Sequence, residues 1–223
     1  MRTLAIGDIH GCYRSLKRLA SAAKISPNDQ IVTLGDHIDR GPDSRGVLDW
    51  LIDRSSDGLI ALRGNHESMI LEARINVDTY RAWIVCGGKA VLASFETDDI
   101  EQIPERYWQF LEQQLKPYHA TDTHIFVHAN VFPELDLEDQ PDFMLYWDSS
   151  IQRPRHESGR VIVCGHTPQR NGIPLDMGHA VCIDTAAAKG GWLTCLDVNS
   201  RYCWQANEQG DVRSFWLDEG PEM

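Results

Sequence analysis

A chain of 223 residues has room for one domain with a sizeable core, and one domain spanning residues 1–223 is expected, since two would each be small. Hydrophobic residues make up 42% and charged residues 24%, ordinary values for a soluble globular protein, and no stretch approaches the roughly 20 apolar residues of a membrane helix. A net charge of -12 excludes a broad basic field, so nucleic acid is not an expected partner and a polyanionic substrate must be handled locally.

The N-terminus reaches Asp8 too soon to hold the apolar core of a signal peptide, which makes a cytoplasmic location the expectation. Its first strand, Leu4-Ala5-Ile6, runs into Gly7-Asp8-Ile9-His10-Gly11. A helix from Tyr13 to Ala23 follows, with Leu16, Leu19, Ala20 and Ala23 at helical spacing. The unit then recurs. Ile31 to Leu34 reads as a strand ending at Gly35-Asp36, and Ser44 to Arg54 as a helix with Val47, Leu48, Leu51 and Ile52 inward. Leu59 to Leu62 is a third strand, followed by the turn Arg63-Gly64-Asn65-His66-Glu67.

Asp36 lies 28 residues after Asp8, and Asn65 lies 29 after Asp36, about one strand-helix-strand step each time. Three parallel strands with right-handed crossovers would set all three polar residues at one edge of a sheet. From Leu71 to Lys116 the pattern is helical and aromatic and carries no ligand signature, so Tyr80, Trp83, Tyr107, Trp108 and Phe110 are expected in the core of a flank over the sheet. Strand returns at Ile125–Val127 and Val161–Cys164, each leading to a histidine, His128 and His166. The acidic, proline-punctuated stretch between them, Pro133 to Pro154, reads mostly as loop. Val181–Ile183 and Trp192–Leu196 suggest antiparallel strands of a second sheet, with Arg201 to Leu217 adding more.

Asp8 and His10 stand two residues apart at a strand end, where side chains of like parity share a side and could grip one metal ion. Together with Asp36, Asn65, His128 and His166 they form an oxygen and nitrogen donor set without thiolates, suited to manganese, iron, zinc or magnesium. Two divalent ions are expected, with Asp36 as the bridge, Asp8 and His10 on one ion and Asn65, His128 and His166 on the other. A water between such ions would lose its proton near neutral pH and attack phosphorus in line. His66, the imidazole next to Asn65, is the expected general acid, with Asp39 fixing its tautomer. Arg40 and Arg63 flank the same turns and offer guanidinium forks for phosphoryl oxygens.

Five motifs carry a family resemblance: GDIHG, GDHIDRG (35–41), GNHE (64–67), VHA (127–129) and GHTP (165–168). In that order they resemble the signature of the phosphoprotein phosphatases within the calcineurin-like metallophosphoesterases, nearest the compact bacterial and phage branch. WIVCGG (83–88) and IDTAAAKGG (183–191) are similar to further segments of that branch. The resemblance implies an α/β fold, a four-layer αββα sandwich with two mixed sheets. It also implies a dimetal centre often supplied with manganese, direct hydrolysis without a phosphoenzyme, and the residue roles given above except that of Arg63. The chain departs from the pattern at Trp147-Asp148-Ser149-Ser150, where a second phosphate-binding arginine is common; Arg153 and Arg155 are the candidate substitutes. Ala129-Asn130 replaces a frequent glycine pair, and Ala186 stands where glycine is frequent.

Other readings compete. The six cysteines include no CxxC pair and are expected to be buried and reduced. Cys12, Cys164 and Cys195 each precede an arginine at the Cys-x5-Arg spacing of thiol phosphatases, but none has the preceding histidine or the mid-loop glycine. His37, His119, His124, His156 and His179 fall outside the ligand pattern. Three functions remain: a phosphatase of phosphorylated protein side chains, a hydrolase of dinucleoside polyphosphates using the same centre, and a silent phosphate- or metal-binding module. An intact His66 argues against the last.

Overall fold

The computed structural model describes residues 1–150 and 154–221. In chain order the first elements are β1 (Thr3–Ile6), α1 (Tyr13–Ala22), β2 (Gln30–Thr33), α2 (Ser44–Ser55), β3 (Ile60–Ala61) and α3 (Asn65–Ala73). The helical flank follows as α4 (Val77–Trp83), one π-helical turn (Ile84–Gly88), α5 (Lys89–Ser94) and α6 (Glu105–Gln113). Next come β4 (Tyr118–Ala120), β5 (His124–Val127), α7 (Asp142–Tyr146), β6 (Val161–Cys164), β7 (Leu175–Asp176) and β8 (Ala180–Cys182). The chain closes with β9 (Asp184–Thr185), β10 (Trp192–Asp197), β11 (Tyr202–Ala206) and β12 (Val212–Trp216).

Among the described residues, seven strands form one sheet in the order β12-β11-β10-β1-β2-β3, with β9 paired to β10, and five form a second in the order β4-β5-β6-β8-β7. Both sheets are mixed. β1, β2 and β3 pair in parallel, as their spacing predicts, and the α1 and α2 crossovers join them. The assignment of the later strands needs correction. β8 pairs in parallel with β6, while β10 pairs antiparallel with β1 and brings β11 and β12 into the first sheet, not the second. Local alternation reports that a face is buried, not which sheet buries it.

Side-chain alternation divides the apolar residues into three layers of core. Ala5, Val32 and Leu34 meet Phe126, Val163 and Val181 between the sheets. On the other side of β1, Leu4 and Ile6 pack with Leu16, Leu19, Leu48 and Leu51, and this core extends to Trp83, Trp108 and Phe110 of the flank. Each such residue, fully buried, contributes about 1.5–3 kcal/mol. Ile125, Val127, Ile162 and Cys164 face outward from the second sheet under Leu137, Leu145 and Tyr146. The result is the expected four-layer αββα arrangement, with its outer layer over the second sheet thinned to α7 and loops. Trp83, Tyr107, Trp108 and Phe110 are fully buried in the core, whereas Tyr80, expected with them, is half-buried and packs against its edge. No helix of the described residues is long and apolar enough to cross a membrane.

Candidate active site

The predicted site residues gather at one edge of the paired sheets, in the turns after strands or, for Asn65 and His66, in the first turn of α3, and not through strand alternation. β1 ends at Ile6, and His10 has a left-handed φ of 46°, so Asp8 and His10 are placed by the turn that follows the strand; His10 gathers with Asp36 and His66, while Asp8 meets the His166 N–H. Asp36, Asp39, Arg40 and His166 are also left-handed, with φ of 48°, 72°, 67° and 65°. For non-glycine residues this costs roughly 1–2 kcal/mol each, and such conformations persist where surrounding bonds over-determine them. Here the Asp36 carbonyl accepts from Ile9 and His10 N–H, the His37 carbonyl from Gly11, and the His10 carbonyl from Gly41. Two glycines leave room for the carboxylates: a Cβ on Gly64 would lie 2.2 Å from Asp36 Oδ1, and one on Gly165 2.0 Å from Asp8 Oδ1.

Asp36 occupies the centre. Its Oδ1 accepts the His66 N–H at the start of α3 (3.0 Å) and faces His128 Nε2 at 3.4 Å, while its Oδ2 faces His10 Nε2 at 3.4 Å and His66 Nε2 at 3.9 Å. Burial opposes its charge, but His128, His66 and His10 outweigh that penalty and hold Asp36 far below the usual carboxylate range. Asp8, also buried, accepts from His166 N–H through both oxygens (3.2 and 3.1 Å). Burial, Asp184 and Asp36 push its pKa well up.

The donor set fits metal ions. His128 Nδ1 donates to the Leu34 carbonyl (2.8 Å) and His166 Nε2 to that of Trp147 (3.2 Å), so His128 Nε2 and His166 Nδ1 both present lone pairs. These two atoms lie 3.1 Å apart, and Asn65 Oδ1, another acceptor, is 3.1 and 3.0 Å from them. Acceptors crowded this closely call for a shared cation rather than for one another. His10 is fixed likewise, Nδ1 donating to the Ile38 carbonyl at 2.9 Å, and burial pushes its pKa down to about 3, keeping the ring neutral as a ligand must be. Two clusters result, His10-Asp36-His66 and Asp36-His128-His166, with Asp36 common to both.

Beside the first cluster, His66 Nδ1 donates to Asp39 Oδ2 at 2.5 Å. Burial works against a charged His66, but Asp36 and Asp39 outweigh it and raise its pKa. Burial also raises that of Asp39, so the pair retains a proton. Arg40 Nη1 lies 2.5 Å from His10 Nε2. Arg63 stands apart: its guanidinium reaches the Leu111 carbonyl (3.4 Å), and it makes no ion pair among the described residues. Arg155 is exposed, and Arg153 falls outside the described residues. The thiol alternative fails on burial, since Cys12, Cys164 and Cys195 are all inaccessible and burial pushes the Cys12 thiol up to about 12. All six cysteines are free, five of them buried and Cys86 exposed.

Sequence reasoning missed three residues. Glu67, fully buried, accepts the N–H groups of Asp36, His37 and Gly64 (2.9, 2.8 and 2.8 Å), clamping the turn after β2 to the start of α3. Although burial opposes its charge, His37 and these donors lower its pKa to about 2. His37 is thereby a packing residue. Asp184, at the start of β9, is a buried carboxylate that burial raises to about 6 against the Ala186 N–H it accepts, the charge of Asp36 adding to the rise. Trp83 Nε1 donates to Asp39 Oδ1 at 2.9 Å. Glu67 and Asp184 both lie within recognised motifs, so their carboxylates were a usable signal.

Comparisons with known proteins agree with this geometry. Residues 1–194 match the family model described as calcineurin-like phosphoesterase. Serine/threonine-protein phosphatase 1 of Salmonella typhimurium is 32% identical over 207 residues, covering 86% of this chain and 90% of that protein. The symmetrical bis(5'-nucleosyl)-tetraphosphatase of Nitrosospira multiformis is 30% identical over 142 residues, 62% of this chain, which spans only 46% of that relative. Among solved structures, a cold-active protein-tyrosine phosphatase of a psychrophile Shewanella aligns with a TM-score of 0.64 at 17% identity, over 96% of this chain and 80% of its own, a likeness of fold. Motif order, two mixed sheets and a match over most of the length make this chain a hydrolase of the calcineurin-like metallophosphoesterase family, of the phosphoprotein phosphatase type.

Proposed function

We propose that the protein is a phosphomonoesterase acting on phosphoserine and phosphothreonine side chains, with phosphotyrosine also admitted. The observation that carries this reading is the extent of likeness: the chain spans 90% of a serine/threonine-protein phosphatase but under half of the tetraphosphatase. Asp8, His10 and Asp36 would hold one divalent ion and Asp36, Asn65, His128 and His166 a second, manganese being our choice. Two such ions, when bound, supply positive charge to the phosphoryl oxygens and lower the pKa of a water.

The chain's own residues do the rest. Arg40 holds phosphoryl oxygens and orients the ester. His66, kept protonated by Asp36 and Asp39, delivers its Nε2 proton to the departing alkoxide, and Asp39 stabilises the imidazole in the tautomer this requires. Arg63, turned toward the Leu111 carbonyl, would contribute at most by turning outward. Six free cysteines favour a reducing, cytoplasmic setting.

The second reading, hydrolysis of dinucleoside polyphosphates, is favoured by the tetraphosphatase relatives and by Asp148 standing where an arginine is common. Metal-depleted protein reloaded with manganese and offered phosphoserine peptide, phosphotyrosine peptide and diadenosine tetraphosphate side by side decides between them. Phosphate release from the peptides is expected to dominate; a clear preference for the nucleotide overturns our choice.

A further inference from the structure

We infer that Trp83 is a positioning residue for the Asp39–His66 pair, its indole N–H fixing the carboxylate oxygen that His66 does not use; this rests on the general-acid reading of His66. Trp83 and Asp39 are both fully buried. Within that dry setting Asp39 divides its oxygens: Oδ2 receives His66 Nδ1 at 2.5 Å and Oδ1 receives Trp83 Nε1 at 2.9 Å. Packing alone asks only for a large ring at position 83, which phenylalanine satisfies. What the indole adds is one donor, aimed at a buried carboxylate that would otherwise have an unsatisfied oxygen.

The turn after Trp83 is shaped to keep it there. A Cβ on Gly88 would lie 2.4 Å from two atoms of the Trp83 ring, so a bare glycine is what lets the indole lie flat under the turn. Gly87, at φ 136°, turns its carbonyl to the Arg40 N–H at 3.3 Å. The last residue of α4 and the π-helical turn after it therefore touch two consecutive residues of the substrate-facing loop, Asp39 through the indole and Arg40 through a backbone carbonyl. Through the Trp83–Asp39 hydrogen bond the helical flank reaches the carboxylate that holds the proposed proton donor. With Oδ1 held, rotation of the Asp39 carboxylate is stopped and His66 Nε2 keeps its direction toward the leaving oxygen.

Trp83→Phe keeps the ring and removes the donor. In manganese-loaded protein we expect kcat on a phosphoserine peptide to fall about tenfold with KM nearly unchanged, and turnover of 2,4-dinitrophenyl phosphate, whose leaving group needs no proton, to fall no more than about twofold. In the metal-free protein the downfield proton resonance of His66 Nδ1, assigned by its loss in Asp39→Asn, should move in Trp83→Phe. Equal losses on both substrates, or none, overturn the proposal, as does an unmoved resonance. A large loss in His66→Asn beside an unaffected Trp83→Phe overturns the proposal alone. Undiminished phosphoserine turnover in His66→Asn overturns the general-acid reading beneath it.

Discussion

The cover over the first sheet and the cover over the second differ in thickness and in what they hold in place. The first sheet lies beneath α1, α2 and the helical flank, whose Trp83, Tyr107, Trp108 and Phe110 are fully buried. From this side come His10, Asp36, Asp39, Arg40, Asn65 and His66, and with them the Glu67 clamp and the Trp83 contact. Among the described residues the second sheet has α7, the 3-10 turn Leu137–Asp139 and loops outside it, with Phe143 56% and Trp147 48% exposed beside the turn that meets His166. Buried packing is thus concentrated on the side that supplies most of the proposed site, while the sparse side leaves large apolar side chains exposed.

Four measurements would break or sharpen that contrast. The largest effect is expected at the centre: Asp36→Asn should lower turnover at least about a thousandfold and reduce bound metal per chain in elemental analysis. Unchanged metal content would remove Asp36 as the shared ligand. Next, Glu67→Ala strips a buried acceptor from three backbone donors and should cost about 3 kcal/mol in urea unfolding. A loss under about 1 kcal/mol would mean that the clamp is not what holds the first-sheet side together.

A smaller effect belongs to the opposite edge of the first sheet, where Arg2 pairs with Asp29 through Nε (2.9 Å) and Nη2 (2.7 Å). The Arg2 hydrogen bond holds Asp29 down to about 2, below its ordinary 3.8. A depressed carboxylate stabilises the fold above its unfolded pKa and stops doing so as pH falls through the folded one. Arg2→Ala should therefore cost about 1 kcal/mol at pH 7, discounted for the partly exposed arginine, and progressively less from about pH 4 toward pH 2. A pH-independent cost would assign the loss to packing on Trp204. The smallest effect is expected on the sparse side: Phe143→Ala should change stability by no more than about 0.5 kcal/mol, checked by thermal unfolding. A larger loss would show the second cover to be structural after all.

Much of this was legible because ligand and strand end travel together. The intervals from Asp8 to Asp36 to Asn65 encode β1, β2 and β3 in parallel, and His128 and His166 follow within two residues of the ends of β5 and β6. Pairing partners were not legible: β10 reads equally well beside β8 or beside β1, and only the long-range register Ala5 opposite Leu196 decides. Trp83 was hidden for a different reason, since a buried tryptophan looks the same in sequence whether its N–H is spent on a backbone carbonyl, as in Trp108, or on a carboxylate. Asp184 lay inside a recognised segment, but its burial beside Asp36 depends on β9 folding back onto β10. Ala186, standing where glycine is frequent, takes a left-handed φ of 62°.

Glu67 has a bearing on inheritance. Because its carboxylate is satisfied by N–H groups of the preceding motif, GDHID and GNHE are one part made of two sequence segments. A recombination crossover between positions 41 and 64 that joins unlike parents would deliver each half with its own chemistry intact and their mutual fit untested. Shortening Glu67 to aspartate, conservative by charge, would withdraw the clamp by one methylene. Exchange between relatives is therefore expected to succeed when both motifs move together.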